Sequence, residues 1–382
     1  MSGPLAGLRV LELAGIGPGP YAGQLLADLG AEVTVVHRPG RDAPSVDMRG
    51  KRSVIVDLRK PGAAEVVLKL AERCDVLIEG NRPGVAERLG VGPLAVHGRN
   101  PKLIYGRMTG WGQTGPWAGM AGHDINYLSL TGALLAMGYA DRPPSPPLNL
   151  VGDYGGGSLF LVLGIMAALW RAQSTGKGEV VDAAIVDGVS STMGMFYSLA
   201  AAGAWGPQRE ANWLDGGAPY YRCYRTKDAG FMAVGAIEPK FFETLLDKLG
   251  LDATAFGGQN DKAHWPTQHT ALEETFLTRT RDEWAALFDN VDACTTPVLS
   301  YEEAPLHPHN AARGSHVKMG LFTHPHAAPR FAGETEWAPP ITARKGADTE
   351  AVLSEAGLGA GEVESLRRDG VVPALPSAHH DV

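Results

Sequence analysis

Leu8-Arg9-Val10-Leu11-Glu12-Leu13, then Gly17-Pro18-Gly19-Pro20-Tyr21-Ala22, then Ala31-Glu32-Val33-Thr34-Val35-Val36: these pieces of the first 36 residues decide the fold. The first alternates like a strand and the last is apolar enough to be a buried one. Between them, residues 21–29 carry helical apolar spacing that stops at Gly30. In outline this is a right-handed βαβ unit, which implies a parallel sheet. The turn fits the pattern G-x-G-x-x-A of a dinucleotide site, but Pro18 and Pro20 lack the N–H groups that would cradle a pyrophosphate. The second strand runs into His37-Arg38, where an NAD site would place an acid. Arg38 suits a phosphate instead, although an exposed arginine at a strand end is also ordinary.

Further along, basic residues recur at what read as comparable loop positions: Lys51-Arg52, Arg59-Lys60, Arg82 and Arg88. Residues 63–73 pattern as an amphipathic helix, and residues 76–78 and 103–106 as short buried strands. Loops after successive parallel strands emerge on one edge of the sheet, so Arg38, Arg82 and Arg88 are expected to converge on one polyanion. Charge distribution agrees. Residues 1–110 hold 15 Lys and Arg against 11 Asp and Glu, so the remainder carries −12 of a net −8. An acidic chain with a locally basic portion fits a small anionic ligand and excludes general nucleic-acid binding.

Two candidate acid/base residues stand at element edges. His123 lies in Gly122-His123-Asp124-Ile125-Asn126-Tyr127, and Asp153 precedes three glycines in Val151-Gly152-Asp153-Tyr154-Gly155-Gly156-Gly157. Residues 128–137 read as a helix-like apolar run, and the proline-rich residues 142–147 as an extended connection. A helix is expected over residues 158–170, which puts Asp153 at its N-terminus. There Asp153 has an ordinary reading as a helix-entry residue, and His123 one as a partly buried histidine. An imidazole facing a carboxylate is also a standard pair for moving a proton.

Beyond a strand at 179–185 and a helix over 186–202 the character changes. Residues 205–218 are polar and glycine-rich; 220–225 and 231–236 form a hairpin; Glu238-Pro239 opens a helix over 241–249. A further helix spans 281–288, and two short ones are expected near 348–355 and 361–368. Several classes are excluded on this reading. The longest apolar run, residues 159–170, falls short of the roughly 20 residues that cross a bilayer, and reads as a buried helix. Cys74, Cys223 and Cys294 form no CxxC and leave one over, which fits a reducing compartment. His307, His309, His324, His326, His379 and His380 lie in loops without ligand spacing, so no metal is expected. The N-terminus shows no leader pattern, and the expected location is the cytoplasm.

Pro4-Leu5-Ala6-Gly7-Leu8-Arg9-Val10, Gly19-Pro20, Leu26-Ala27-Asp28-Leu29-Gly30-Ala31 and Gly110-Trp111-Gly112-Gln113-Thr114-Gly115-Pro116 resemble the opening of the family III CoA-transferase superfamily. Within it, residues 122–127, 151–157, Leu214-Asp215-Gly216-Gly217-Ala218-Pro219-Tyr220-Tyr221 and Gly235-Ala236-Ile237-Glu238-Pro239 look like its α-methylacyl-CoA racemase branch. The resemblance covers about residues 4–330. It implies an α/β fold, with a Rossmann-like parallel-sheet large domain and a smaller α+β domain in an interlocked homodimer. The implied layout is a large CoA-binding domain at 1–187, a linker and helix at 188–225, a small domain at 226–310, and a return segment at 311–382.

The resemblance also implies a site. The CoA region maps to Arg38, to Val56, Asp57, Leu58 and Arg59, to Gly80, Asn81 and Arg82, and to Arg88. Gly122, Asp124, Ile125, Asn126 and Tyr127 join the substrate contacts. His123 and Asp153 become the acid/base pair with Glu238 supporting His123. The implied reaction epimerises (2R)- and (2S)-2-methylacyl-CoA through an enolate, with CoA as part of the substrate and no separate cofactor. Asp153 also corresponds to the acyl-carrying aspartate of transferase members, so a CoA transfer between carboxylic acids through acyl-Asp153 is the alternative. An aspartate at a helix N-terminus tends to ionise, so the acid role requires burial or a charged neighbour.

Overall fold

Strand β1 (Arg9–Leu13) pairs in parallel with β2 (Glu32–His37), Val10 opposite Val33 and Leu13 opposite Val36, and helix α1 (Pro18–Asp28) crosses between them. The computed structural model describes residues 3–40, 45–320, 322–332 and 344–373. Helix α1 starts three residues before the expected position. Pro18 fits the first helical turn because its missing N–H would have no intrahelical partner, and Gly17 supplies the entry at φ 68°.

Strand β3 (Lys51–Ile55) lies parallel to β2, which corrects the reading of Lys51-Arg52 as a loop. Lys51 Nζ sits 2.7 Å from Glu12 Oε2 with both side chains buried, and it also donates to the carbonyl of Pro20 at 2.7 Å. A side chain at Gly23 would come within 2.0 Å of Glu12 Oε2, so glycine lets α1 settle on this pair. Arg52 faces outward and pairs with Glu355. A buried ion pair between strands two places apart leaves no local pattern in the sequence.

Next come α2 (Ala63–Ala71), β4 (Val76–Glu79), α3 (Val85–Arg88), α4 (Pro93–Arg99), β5 (Ile104–Thr109) and α5 (Asp124–Ser129). The apolar run over 128–137 is not one helix, because α5 ends and Gly132 turns the chain at φ 82°. A π-helical stretch, Leu150–Ser158, leads straight into α6 (Leu159–Thr175), then β6 (Val180–Ala184) and α7 (Ile185–Thr192). The strand order is β3-β2-β1-β4-β5-β6 with every neighbouring pair parallel, a Rossmann-like sheet whose direction of winding reverses between β1 and β4.

The helix of residues 150–175 departs from expectation twice. It begins eight residues before the expected start, and at 26 residues it is long and apolar enough to cross a membrane by length and composition alone. It is also not a buried helix. Leu161, Ile165 and Ala168 are buried, whereas Leu163 is 63% and Trp170 76% exposed.

After α7 the chain divides at Met193, where the apolar run over 186–202 breaks into α7 and α8 (Gly194–Ala201). A second unit comprises Gly132–Pro147 and Met193–Arg313. It holds β7 (Tyr221–Arg225), β8 (Phe231–Gly235), α9 (Pro239–Leu249), α10 (Ala253–Phe256), α11 (Trp265–Phe276), α12 (Arg281–Phe288), β9 (Thr295–Pro297) and α13 (Pro308–Ala312). Its three strands are antiparallel in the order β7-β8-β9, and one face is covered by Phe242, Leu246, Phe276, Trp284 and Phe288. Residues beyond 313 belong to the first unit. The hairpin of β10 (His316–Met319) and β11 (Phe322–Pro325) is held by buried Arg49, which spans Asp28 and the carbonyl of Pro325. Helices α14 (Thr349–Glu355) and α15 (Ala360–Arg368) finish the unit, with Asp348 accepting from the Ser53 N–H at 2.8 Å and Val371 from the Asp57 N–H at 2.9 Å.

Candidate active site

Where the winding of a parallel sheet reverses, the loops leaving neighbouring strands turn apart and open a crevice. The first unit has a cavity of about 340 Å³ at that place. Its lining comes from the β1–α1 turn (Gly15, Ile16, Gly17 and Pro18 among others), the loop after β4 (Gly80, Asn81, Arg82 and Pro83) and the end of β5. Gly122, His123, Tyr127 and Asp153 close it.

His123 immediately precedes α5 in extended backbone, and its N–H donates to the Asn126 side chain at 3.0 Å. That bond fixes the chain entry and leaves the imidazole on the cavity side. Asp153 arrives in the π-helical stretch, near enough to α1 that a side chain added at Gly17 would stand 3.2 Å from Asp153 Oδ2. The wider π turns admit the close approach of α7, since Cβ atoms at Gly156 and Gly188 would collide across that contact. Burial pushes the Asp153 carboxyl up to about 6, with the neighbouring Asp124 raising it further and His123 acting in the opposite direction. The helix start alone therefore does not determine its charge, because desolvation and a like charge oppose the effect of the helix end.

Aromatic rings build one wall. Trp111 stands edge-on to Tyr127 at 4.8 Å and to Trp117 at 5.1 Å. The Tyr127 hydroxyl donates to the Gly122 carbonyl. Side chains at Gly110 or Gly122 would overlap the Tyr127 ring, so both glycines are set by close approach.

The expected site residues divide into groups. Gly80, Asn81, Arg82, Gly122, His123, Tyr127 and Asp153 share the cavity. Asp124 is buried beneath it, with its carboxylate turned to the backbone of Asp153, while Ile125 and Asn126 are exposed on α5 and outside the lining. Arg38, at the end of β2, and Arg88, on α3, are exposed, and with Arg82 they have no carboxylate partner among the described residues. Val56 and Asp57 are buried after β3, and Leu58 is half-buried. Arg59 makes a two-pronged bond to Asp57, both contacts at 2.8 Å, which holds the Asp57 carboxyl below its usual range. Glu238 lies in the second unit, exposed at the head of α9.

Sequence reasoning missed two contributors. The β1–α1 turn, whose glycine spacing fits a nucleotide fingerprint, instead forms a cavity wall. Buried Glu79 accepts from the Asn81 N–H at 2.7 Å and from Arg107 Nε at 3.2 Å, and so fixes the Gly80–Arg82 loop. A carboxylate closing a buried strand was the available signal.

The chain is 42% identical to the alpha-methylacyl-CoA racemase of Mus musculus over 373 residues, 96% of this chain and 97% of that protein. The Homo sapiens alpha-methylacyl-CoA racemase is 42% identical over 374 residues, with the same two coverages. A crystal structure of a CAIB/BAIF family protein from Brucella suis matches with a TM-score of 0.81 at 26% identity, covering 93% of this chain and 100% of that one. The description CoA-transferase family III matches residues 5–349. Sequence, sheet order and relatives agree that the chain belongs to CoA-transferase family III.

Proposed function

We propose that the chain is a racemase that interconverts (2R)- and (2S)-2-methylacyl-CoA thioesters. One observation carries the reading: His123 and Asp153 line a single cavity, and the Asp153 carboxyl is raised to about 6. Epimerisation requires removing a weakly acidic proton next to the carbonyl and returning one to the other face. Neutral His123 takes the proton from one epimer while protonated Asp153 supplies one, and the roles reverse for the other. A carboxyl near 6 exchanges protons close to neutral pH, as an ordinary aspartate would not. Glu238 is the third member that the resemblance implies.

The thioester acidifies the α-proton, so this chemistry calls for no metal or redox cofactor. The developing enolate oxygen needs N–H donors. The Asp153 N–H is already bonded to Asp124, which leaves the Asp124 N–H, at the first position of α5, as our choice. Arg38, Arg82 and Arg88 have no carboxylate partner among the described residues and carry the phosphates of CoA in this reading. Those remote contacts orient the acyl carbon between the two acid/base groups. Arg59, held by Asp57, contributes less.

We also place the enzyme in the cytoplasm as a homodimer. The exposed apolar residues Leu159, Leu163 and Trp170 of α6, and α8 with no buried residue, support a second copy as their cover. Light scattering should give twice the chain mass. Function is tested by incubating one enantiomer of a 2-methylacyl-CoA in D₂O without free acid. Deuterium gain with inversion supports the racemase. No exchange, with thioester formation once a free carboxylate is added, makes Asp153 an acyl-carrying nucleophile and the protein a CoA-transferase.

A further inference from the structure

Asp124 is among the expected substrate contacts, yet it lies outside the cavity lining and its carboxylate bonds the backbone of Asp153. It occupies the first position of α5, is 8% exposed, and accepts from the Asp153 N–H at 2.6 Å through Oδ1. The backbone of Gly152 offers a second bond. A Cβ at Gly152 would stand 2.2 Å from that oxygen, so the glycine is what lets the carboxylate close on the π-helical backbone. The other oxygen, Oδ2, is buried without a hydrogen-bond partner among the described residues. An unmatched buried carboxylate oxygen is costly, the more so when it carries charge. The charge itself therefore needs an explanation.

The geometry points to Asp124 as a positioning residue for the proposed reaction: it fixes the backbone of Asp153 and holds a like charge against its side chain, so that Asp153 retains a proton to deliver. This inference rests on the racemase reading. Few other groups face Asp153. His123 acts from the entry to α5, the Asn149 side chain bonds it, and Tyr127 lies one turn further along with Arg82 near its hydroxyl. The β1–α1 turn presents Gly17 and α7 presents Ile185, neither of them charged. Apart from burial, Asp124 has the largest influence on the Asp153 carboxyl, and it opposes ionisation. Burial raises the Asp124 carboxyl itself above its usual range, and the two backbone bonds act against that, toward its ionised form.

The pair His123 and Asp153 works with one proton between them, and activity fails at low pH when a second is taken up. Removing the charge at 124 makes Asp153 easier to ionise, so that second proton binds at lower pH. For Asp124→Asn, the acidic limb of kcat/KM against pH should move down by on the order of one unit, with KM within about twofold. An unmoved limb with a uniform loss of rate would show a merely structural residue and overturn the assignment.

Should that variant misfold, the wild-type enzyme provides the test. With ¹³Cγ-labelled aspartate, assigned through Asp153→Asn, the Asp124 and Asp153 signals should titrate in shared, two-step curves. A single-step Asp153 curve indifferent to Asp124 would refute the coupling. Wild-type protein that exchanges no α-proton would sink the racemase reading instead, and the carboxyl titration would still report on the pair.

Discussion

Two buried carboxylates in the first unit have opposite fates. Glu12, the penultimate residue of β1, and Asp153, at the cavity beyond that strand, both lose water, and burial raises both carboxyls. Glu12 meets the Lys51 ammonium at 2.7 Å under α1, so its charge is matched and the group is locked. Asp153 meets the carboxylate of Asp124 and opens onto a cavity shared with His123. Burial alone does not make a carboxyl reactive; the sign of its neighbour and its access to a ligand decide that.

The largest expected effect lies at the cavity. His123→Ala and Asp153→Ala should each cut α-deuterium exchange by about 10³-fold or more, as removal of a general acid or base typically does. An exchanging double variant would break the contrast with Glu12. At the other carboxylate the loss should be in stability. Lys51→Met strands the Glu12 charge and should cost about 3–5 kcal/mol in urea unfolding, with much of it recovered in Lys51→Met with Glu12→Leu.

The same contrast predicts a pH dependence. Because the folded-state pKa of Asp153 is raised above the usual carboxylate value of 3.8 to about 6, its ionised form penalises folding. The penalty is absent below pH 4, grows between 4 and 6, and is complete above 6. Asp153→Asn should therefore stabilise the protein at pH 7.5 by up to about 2 kcal/mol, allowing for partial exposure, and the gain should shrink as the melt is repeated toward pH 4.5. A gain independent of pH would show that the site stores no such cost.

Smaller effects concern the phosphate contacts. Arg82→Ala should raise KM about tenfold with little change in kcat, while Arg59→Ala, whose guanidinium is already held by Asp57, should change it about twofold. Equal effects would mean that the Asp57 pair opens on binding. At the small end, Lys69→Ala, which removes an exposed pair with Glu362, should leave the urea midpoint essentially unchanged.

What was legible in the sequence had local causes. The βαβ opening, the β7–β8 hairpin and α12, whose Thr280–Glu283 capping box closes its start, follow from periodicity and capping within a few residues. Three readings failed where distant contacts decide. The strand at Lys51 depends on Glu12, the early start of the 150–175 helix on glycines packed against α7, and the break at Gly132 on a turn between two units.

The sequence by itself determined a parallel α/β sheet, a basic edge and two candidate proton-transfer residues, because strand periodicity, glycine turns and side-chain chemistry are written in neighbouring positions. Only the tertiary structure decided that His123 and Asp153 share one cavity while Asp124 sits beneath it, and that Arg59 is held by Asp57 while Arg82 lines the cavity. Charge and desolvation act through space over a few ångströms, and residues 29 positions apart in the chain come that close only when π-helical glycines let the backbone fold against α5.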